Sequence, residues 1–272
     1  ESLAATGGPN MASLEKKVRK EMPSAWGKVY SLLLSNGVQL QITPREVLQK
    51  DATDVVLSPS DNHWTGGSVW EAAEVLAELL SEEPGRVRGR RVLELGAGCG
   101  LLGIVAGALG AREVTLTDEV LFMMAYNVEA NFKGQPDVHQ RFKLQQLHWG
   151  NEEQIAQAGP PYDLILCSDL LYDRSQHVHL ANTIGKLSHV GTDILFATPD
   201  GMPSDRSYYC RGFYSSLRQR GFKLSVLALD GPKEKRARVF LDETEFDSGG
   251  FDRGTISVLE MYKTSASLSD SD

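Results

Sequence analysis

The sequence predicts an α/β protein: a seven-stranded, mostly parallel sheet with one antiparallel strand, helices on both faces and a small strand-rich N-terminal extension. Three observations predict it. From Glu71 onward helical and extended patterns alternate, as they do where a parallel sheet is covered on both sides. The apolar run Val92-Leu93-Glu94-Leu95 stops on alternate glycines, Gly96, Gly98 and Gly100, so a buried strand turns sharply into a helix. The last extended stretch, over 256–262, follows a polar connection without a helix of its own, and such a strand inserts antiparallel.

Each element has its own signal. A helix is expected over 69–80, with Val69, Ala72, Ala73, Leu76, Leu79 and Leu80 on one face and Ser68-x-x-Glu71 as a capping box. Strand one covers 92–95, and its helix, 101–109, ends at Gly110 as at a C-cap. Strand two covers 114–117, with a helix from near Glu119 to Phe132. Strand three covers 143–147, and strand four, 162–167, is nearly all apolar, as a central parallel strand should be. A helix over 177–188, strand five over 193–198, a helix over 208–220 and strand six over 223–229 complete the alternation. Residues 230–252 are polar and leave room for a short helix. In the N-terminal part, strands are expected at 38–42 and 54–57, separated by Pro44 and a charged stretch.

Residues 1–13 read as a leader or tag remnant, 14–63 as the extension, 64–264 as the main domain, and the Ser/Asp-rich residues 265–272 as a disordered tail. The 272 residues are 41% hydrophobic and 24% charged, an ordinary globular balance. No apolar run approaches the roughly 18 residues that cross a bilayer, so no membrane is expected. Three cysteines, Cys99, Cys167 and Cys210, form no metal-type pair. They suggest reduced thiols in the cytoplasm or the nucleus, and no metal site. A net charge of −8 argues against a surface built for nucleic acid. Protein or small-molecule substrates fit better.

The glycine bend is the chemical centre. Glycine lets the backbone take positive φ and approach a nucleoside closely, while the following helix N-terminus presents unpaired N–H groups. Two cofactors compete for it. Gly98-x-Gly100-x-x-Gly103 satisfies the dinucleotide fingerprint, whereas Glu94-x-Gly96-x-Gly98-x-Gly100 looks like motif I of S-adenosyl-L-methionine methyltransferases. In the dinucleotide fold the first glycine directly follows the strand. Here that glycine is Gly96, whose own reading reaches Leu101 where a third glycine belongs, and this favours the methyltransferase register. Seven strands with an antiparallel member point the same way. Asp118, ending strand two, can accept ribose hydroxyls in either fold, or cap the helix that follows.

Four ordered segments then resemble methyltransferase family 16: Gly66-Gly67-Ser68-Val69-Trp70-Glu71-Ala72-Ala73, Val92 to Gly100, Leu147-His148-Trp149-Gly150, and Asp163-Leu164-Ile165-Leu166-Cys167-Ser168-Asp169-Leu170-Leu171-Tyr172. The likeness covers about residues 64–172. The family has a Rossmann-like seven-strand fold and includes protein-lysine methyltransferases acting on chaperones, an ATPase, translation factors and calmodulin, with a histidine-specific member. The resemblance implies that Gly96, Ala97 and Gly98 line the methionine and ribose portion of the cofactor, with Glu94 of the same motif among its contacts. Asp118 would bind the ribose hydroxyls, Trp149 flank the adenine, Trp70 close the pocket and Ser168 touch the cofactor at the end of strand four. Trp70 and Trp149 also suit hydrophobic core positions.

Asp169-Leu170-Leu171-Tyr172 corresponds to the DxxY motif of that family. It implies that Asp169 orients the acceptor amine and Tyr172 shapes its channel, with a capping role for Asp169 as the alternative. A lysine ammonium, pKa about 10.4, must lose its proton before it can attack. A carboxylate orients the ammonium and an apolar lining favours the neutral amine. The implied function is S-adenosyl-L-methionine-dependent methylation of a protein side-chain nitrogen, most simply lysine, by a monomer, leaving S-adenosyl-L-homocysteine. The alternatives are a small-molecule N-methyltransferase and a non-catalytic interaction module retaining the fold. After strand five the sequence Ala197 to Arg206 departs from the family's pattern, and Arg206 is the candidate for its displaced arginine. Asn127 and Asn131, one helical turn apart, recur in the family and are read as polar helix packing.

Overall fold

A computed structural model describes residues 29–44, 66–159, 161–199, 205–227, 238–240 and 256–264. The leader, the tail, the strand expected at 54–57 and the side chain of Arg206 lie outside what is described.

The N-terminal extension contributes a hairpin, β1 (Tyr30–Leu33) antiparallel to β2 (Gln39–Ile42). The main domain then alternates as expected: α1 (Glu71–Glu82), β3 (Arg91–Leu95), α2 (Leu101–Ala108), β4 (Glu113–Asp118), α3 (Phe122–Phe132), α4 (Pro136–His139), β5 (Phe142–Gln146), α5 (Glu152–Ala158), β6 (Tyr162–Ser168), α6 (His177–Leu187), β7 (Ser188–Pro199), α7 (Asp205–Gln219), β8 (Phe222–Leu227), β9 (Arg238–Phe240) and β10 (Ile256–Lys263). The sheet order is β5-β4-β3-β6-β7-β10-β8-β9. The first five of these strands pair in parallel, and β10 inserts antiparallel between β7 and β8. The seven expected strands are therefore present. An eighth, the three-residue β9, pairs with the edge of β8 out of the connection that had room for a helix.

Alternation along each strand builds two cores. Val92, Val114, Leu116, Leu164, Leu166 and Val258 face α1, α2 and α3, while Leu93, Leu95, Ile165, Cys167, Phe196 and Leu259 face α6 and α7. Both faces are apolar because both are covered, so these strands read as continuous hydrophobic runs.

Three expectations are corrected. Helix α1 begins at Glu71, with Trp70 in extended geometry at its N-cap and no side-chain capping bond, so the Ser68–Glu71 capping box does not form. Ser68 instead lines the main cavity, on a segment whose Gly66 lies against Gly98. Helix α3 begins at Phe122, not near Glu119, and Leu121 occupies its N-cap, so Asp118 does not cap it. Strand five extends back to Ser188 through an irregular register opposite Tyr162/Leu164. Helix α5, absent from the periodicity reading, is announced locally by Asn151, whose side chain accepts from the Gln154 N–H at its first turn.

Candidate functional site

The carboxyl ends of β3, β4, β5 and β6 open into one cleft of about 760 Å³. Its position is the topological switch point, where the chain leaves β3 for β4 on one side and returns with β6 on the other. The ten residues expected to contact the cofactor or the acceptor amine line it: Trp70, Glu94, Gly96, Ala97, Gly98, Asp118, Trp149, Ser168, Asp169 and Tyr172.

The floor is the bend between β3 and α2. Gly96 and Gly98 sit at φ 59° and 52°, in the left-handed region. A Cβ on Gly98 would lie 2.6 Å from the Gly66 carbonyl oxygen, and one on Gly96 would press on Leu170 and Trp149. The bend is held from three sides. The Gly98 N–H donates to Asp118 Oδ2 at 2.8 Å, the Gly103 N–H to Glu94 Oε2 at 2.7 Å, and Asn127 Nδ2 to the Cys99 carbonyl at 2.9 Å. Asp118 Oδ1 accepts from the Val120 N–H at 3.3 Å. Each carboxylate oxygen can accept more than one hydrogen bond, so Asp118 both braces the bend and keeps acceptor capacity toward the cleft.

Glu94 is buried at the base of this arrangement. Burial pushes its carboxyl up to about 8, against the pull of the Gly103 and Leu102 amides, and the neighbouring Asp118 charge adds to the rise. At neutral pH it therefore holds a proton. The Cys99 thiol, its Sγ 3.6 Å from the Gly66 carbonyl, is driven up to about 12 by burial and by the charges of Asp118 and Glu94. That makes it loop filler rather than a nucleophile.

The opposite wall is the tip of β6. Asp169 has φ 52°, the only positive φ outside glycine among the described residues, and its N–H donates to the Ala197 carbonyl at 2.9 Å. Aspartate tolerates this conformation at modest cost, and such geometry persists where its surroundings fix it. Leu170 and Leu171 are buried below it, which turns Tyr172, 60% exposed, toward the mouth. The turn that follows, Arg174–Gln176, is capped by Asp173 instead, whose Oδ1 accepts from the Ser175 N–H at 2.9 Å. Trp70 is 47% exposed and so is a mouth residue, not a core one.

Trp149 is half-buried against the second core. Its position is set from α6: the Gly150 N–H donates to Thr183 Oγ1 at 2.9 Å, and Thr183 Oγ1 donates to the His179 carbonyl at 2.8 Å. The cleft also contains residues that the sequence reading missed. Gln146 ends β5, and Glu119, Val120, Leu147 and His148 directly follow the ends of β4 and β5, so the rule that ligands gather at strand carboxyl ends could have found them. Gln176 and His179 enter from α6 and its preceding turn, with no local signal. Among the described residues no helix is long and apolar enough to cross a membrane.

The family model for lysine methyltransferases, Methyltransf_16, matches residues 49–210. The calmodulin-lysine N-methyltransferase of Arabidopsis thaliana is 34% identical over 181 residues, 62% of this chain and 58% of that protein, so the chain spans little more than half of that relative's length. Protein N-lysine methyltransferase METTL21A of Mus musculus is 34% identical, over 61% of this chain and 72% of its own. The protein N-terminal and lysine N-methyltransferase EFM7 of Gibberella zeae is 27% identical, over 64% of this chain and 72% of its own. Among solved structures, a Streptococcus mutans protein described as a SAM-dependent methyltransferase superposes with a TM-score of 0.53 at 15% identity, covering 89% of this chain and 57% of that one. It shows the fold. On the sequence match, the chain belongs to the lysine methyltransferase family 16.

Proposed function

We propose that the chain is an S-adenosyl-L-methionine-dependent protein methyltransferase whose acceptor is a lysine ε-amine. One observation carries the reading: the glycine bend and the Asp169–Tyr172 tip face a single cleft. The cleft fits the cofactor. Its floor is a cradle that a Cβ on Gly98 would fill, its walls include a carboxylate at Asp118 and an indole at Trp149, and its mouth is open beside Asp169. The names of the relatives, methyltransferases of calmodulin lysine and of protein lysine, support the same reaction, and a similar fold has been solved with S-adenosyl-L-homocysteine bound.

The residues divide the work. Gly96, Ala97, Gly98 and Ser168 would contact the methionine and ribose portion, Asp118 the ribose hydroxyls and Trp149 the face of the purine, with Glu94 beneath them and Trp70 at the edge. When bound, the cofactor supplies a methyl group on a positively charged sulfur, an activated donor that needs little further assistance. Asp169 holds the incoming ammonium by charge and hydrogen bonding. Tyr172 and Trp70 wall the approach with aromatic surface against which the apolar stem of a lysine can pack, and the amine loses its proton to solvent at the open mouth before it attacks. Holding the amine in line with the methyl supplies most of the rate. The substrate is a protein, a chaperone, an ATPase or a translation factor being the chemical setting the family suggests. We place the enzyme as a monomer in the cytoplasm or nucleus, where its three buried cysteines, none in a disulfide, stay reduced.

The test is to incubate the purified chain with methyl-labelled S-adenosyl-L-methionine and cell extract, beside an Asp169→Ala variant. A labelled protein band that yields methyl-lysine on hydrolysis and disappears with the variant is the expected result. Label confined to low-mass material would mean a small-molecule substrate. A chain that does not bind the cofactor would be an interaction module.

A further inference from the structure

Asn127 and Asn131 lie on α3, outside the cleft, yet their amides do more than pack. Residues four apart on a helix are separated by about 6 Å along its axis, close to the repeat of alternate residues on a strand. The two asparagines therefore present acceptor and donor pairs to the edge of β2 as a neighbouring strand would. The Gln41 N–H donates to Asn131 Oδ1 at 2.9 Å, and Asn131 Nδ2 donates to the Gln41 carbonyl at 2.7 Å. The Thr43 N–H donates to Asn127 Oδ1 at 2.8 Å, and Asn127 Nδ2 donates to the Thr43 carbonyl at 3.2 Å. Asn127 is 0% exposed, and its Nδ2 also donates to the Cys99 carbonyl at 2.9 Å. Cys99 stands between Gly98 and Gly100, both at positive φ, so the direction of its carbonyl fixes the shape of the bend.

We infer that Asn127 is a positioning residue that couples the β1–β2 hairpin to the glycine bend, so that seating of the hairpin and binding of the nucleoside stabilise each other. The inference rests on the cofactor reading above. A single buried amide spans both structures, and removing it leaves the Thr43 N–H and two carbonyls without their partner. Linkage is reciprocal: a ligand that orders the bend must also tighten the hairpin.

The experiment is amide-resolved hydrogen exchange on the full chain, with and without saturating S-adenosyl-L-homocysteine, joined to calorimetric titration of that ligand. Binding should slow exchange at Gln41 and Thr43, neither of which lines the cleft. In Asn127→Ala the affinity should fall about tenfold and the slowing should vanish. Asn131→Ala, which loosens the hairpin while the Cys99 carbonyl stays held, should weaken binding far less. A purely structural role would not carry a ligand signal to Gln41 and Thr43. Unchanged exchange at those amides in the unmodified chain would overturn the coupling, as would native affinity in Asn127→Ala. Should that variant not fold, exchange in the unmodified chain decides alone. Failure of the unmodified chain to bind the homocysteine product would instead overturn the cofactor reading on which the coupling stands.

Discussion

Gly98 shows how tightly single residues are constrained at the bend. Its backbone is left-handed, and a methyl group there would meet the Gly66 carbonyl at 2.6 Å. Gly98→Ala should cost about 1–3 kcal/mol and abolish cofactor binding, measured by thermal unfolding and calorimetric titration. Native affinity would mean that the nucleoside lies elsewhere. Glu94 gives a pH signature. Its carboxyl, ordinarily at 4.5, is raised to about 8 by burial, so between these values the folded chain holds a proton that the unfolded chain has lost. Its contribution to stability is present at low pH and is lost progressively as pH rises toward about 8. Glu94→Gln is neutral throughout, so denaturant unfolding of the variant should fall off less between about pH 5 and about pH 9 than that of the parent. Equal slopes would contradict the buried-acid assignment. At the tip of β6, Asp169→Asn should lower turnover about a hundredfold while leaving cofactor affinity unchanged. A variant with undiminished turnover would remove Asp169 from the acceptor site. These positions were legible because backbone geometry and charge allow few alternatives at each. Gln176 and His179 were not, since only the folding of α6 back over the cleft brings them there.

Among the elements, the strands of the sheet were read from apolar runs because both faces are covered, which makes Val92 to Leu95 and Tyr162 to Cys167 almost uninterrupted. Helix starts were less legible. Ser68-x-x-Glu71 has the residues of a capping box, but Gly66 lies against Gly98 and Ser68 lines the cleft, so Trp70 and not Ser68 stands at the N-cap. The short helices α4 and α5 carry too few turns for a periodic signal. Only half of the hairpin was legible: β2 falls within the strand expected at 38–42, whereas β1, four residues with no fully buried side chain, is too short to carry a pattern. One element explains how Trp149 is held. Gly150 has φ 84°, donates to Thr183 and lies so close to the His179 ring that an added methyl would overlap it. Gly150→Ala should raise KM for the cofactor through displacement of Trp149, and His179→Ala in the same chain should restore part of it. An unchanged KM in the single variant would show that α6 does not position the indole.

For the molecule as a whole, the order β5-β4-β3-β6-β7-β10-β8 puts every carboxyl-terminal loop of the parallel strands at one edge, with the switch between β3 and β6 at its centre. The antiparallel entry of β10 was legible because the polar connection before it shows no helical pattern for a crossover; β9 was not, because three residues within that polar stretch carry no pattern. The consequence is a division of the cleft into a floor that fits a nucleoside and a mouth with exposed Tyr172 and Trp70 beside Asp169. A crystal structure of the full chain with S-adenosyl-L-homocysteine tests this arrangement most directly. The sulfur should lie between the Gly96–Gly98 bend and the Asp169 carboxylate, with the ribose on Asp118 and the purine against Trp149. A ligand bound away from the bend, or a sulfur walled off from Asp169 and Tyr172, would contradict it.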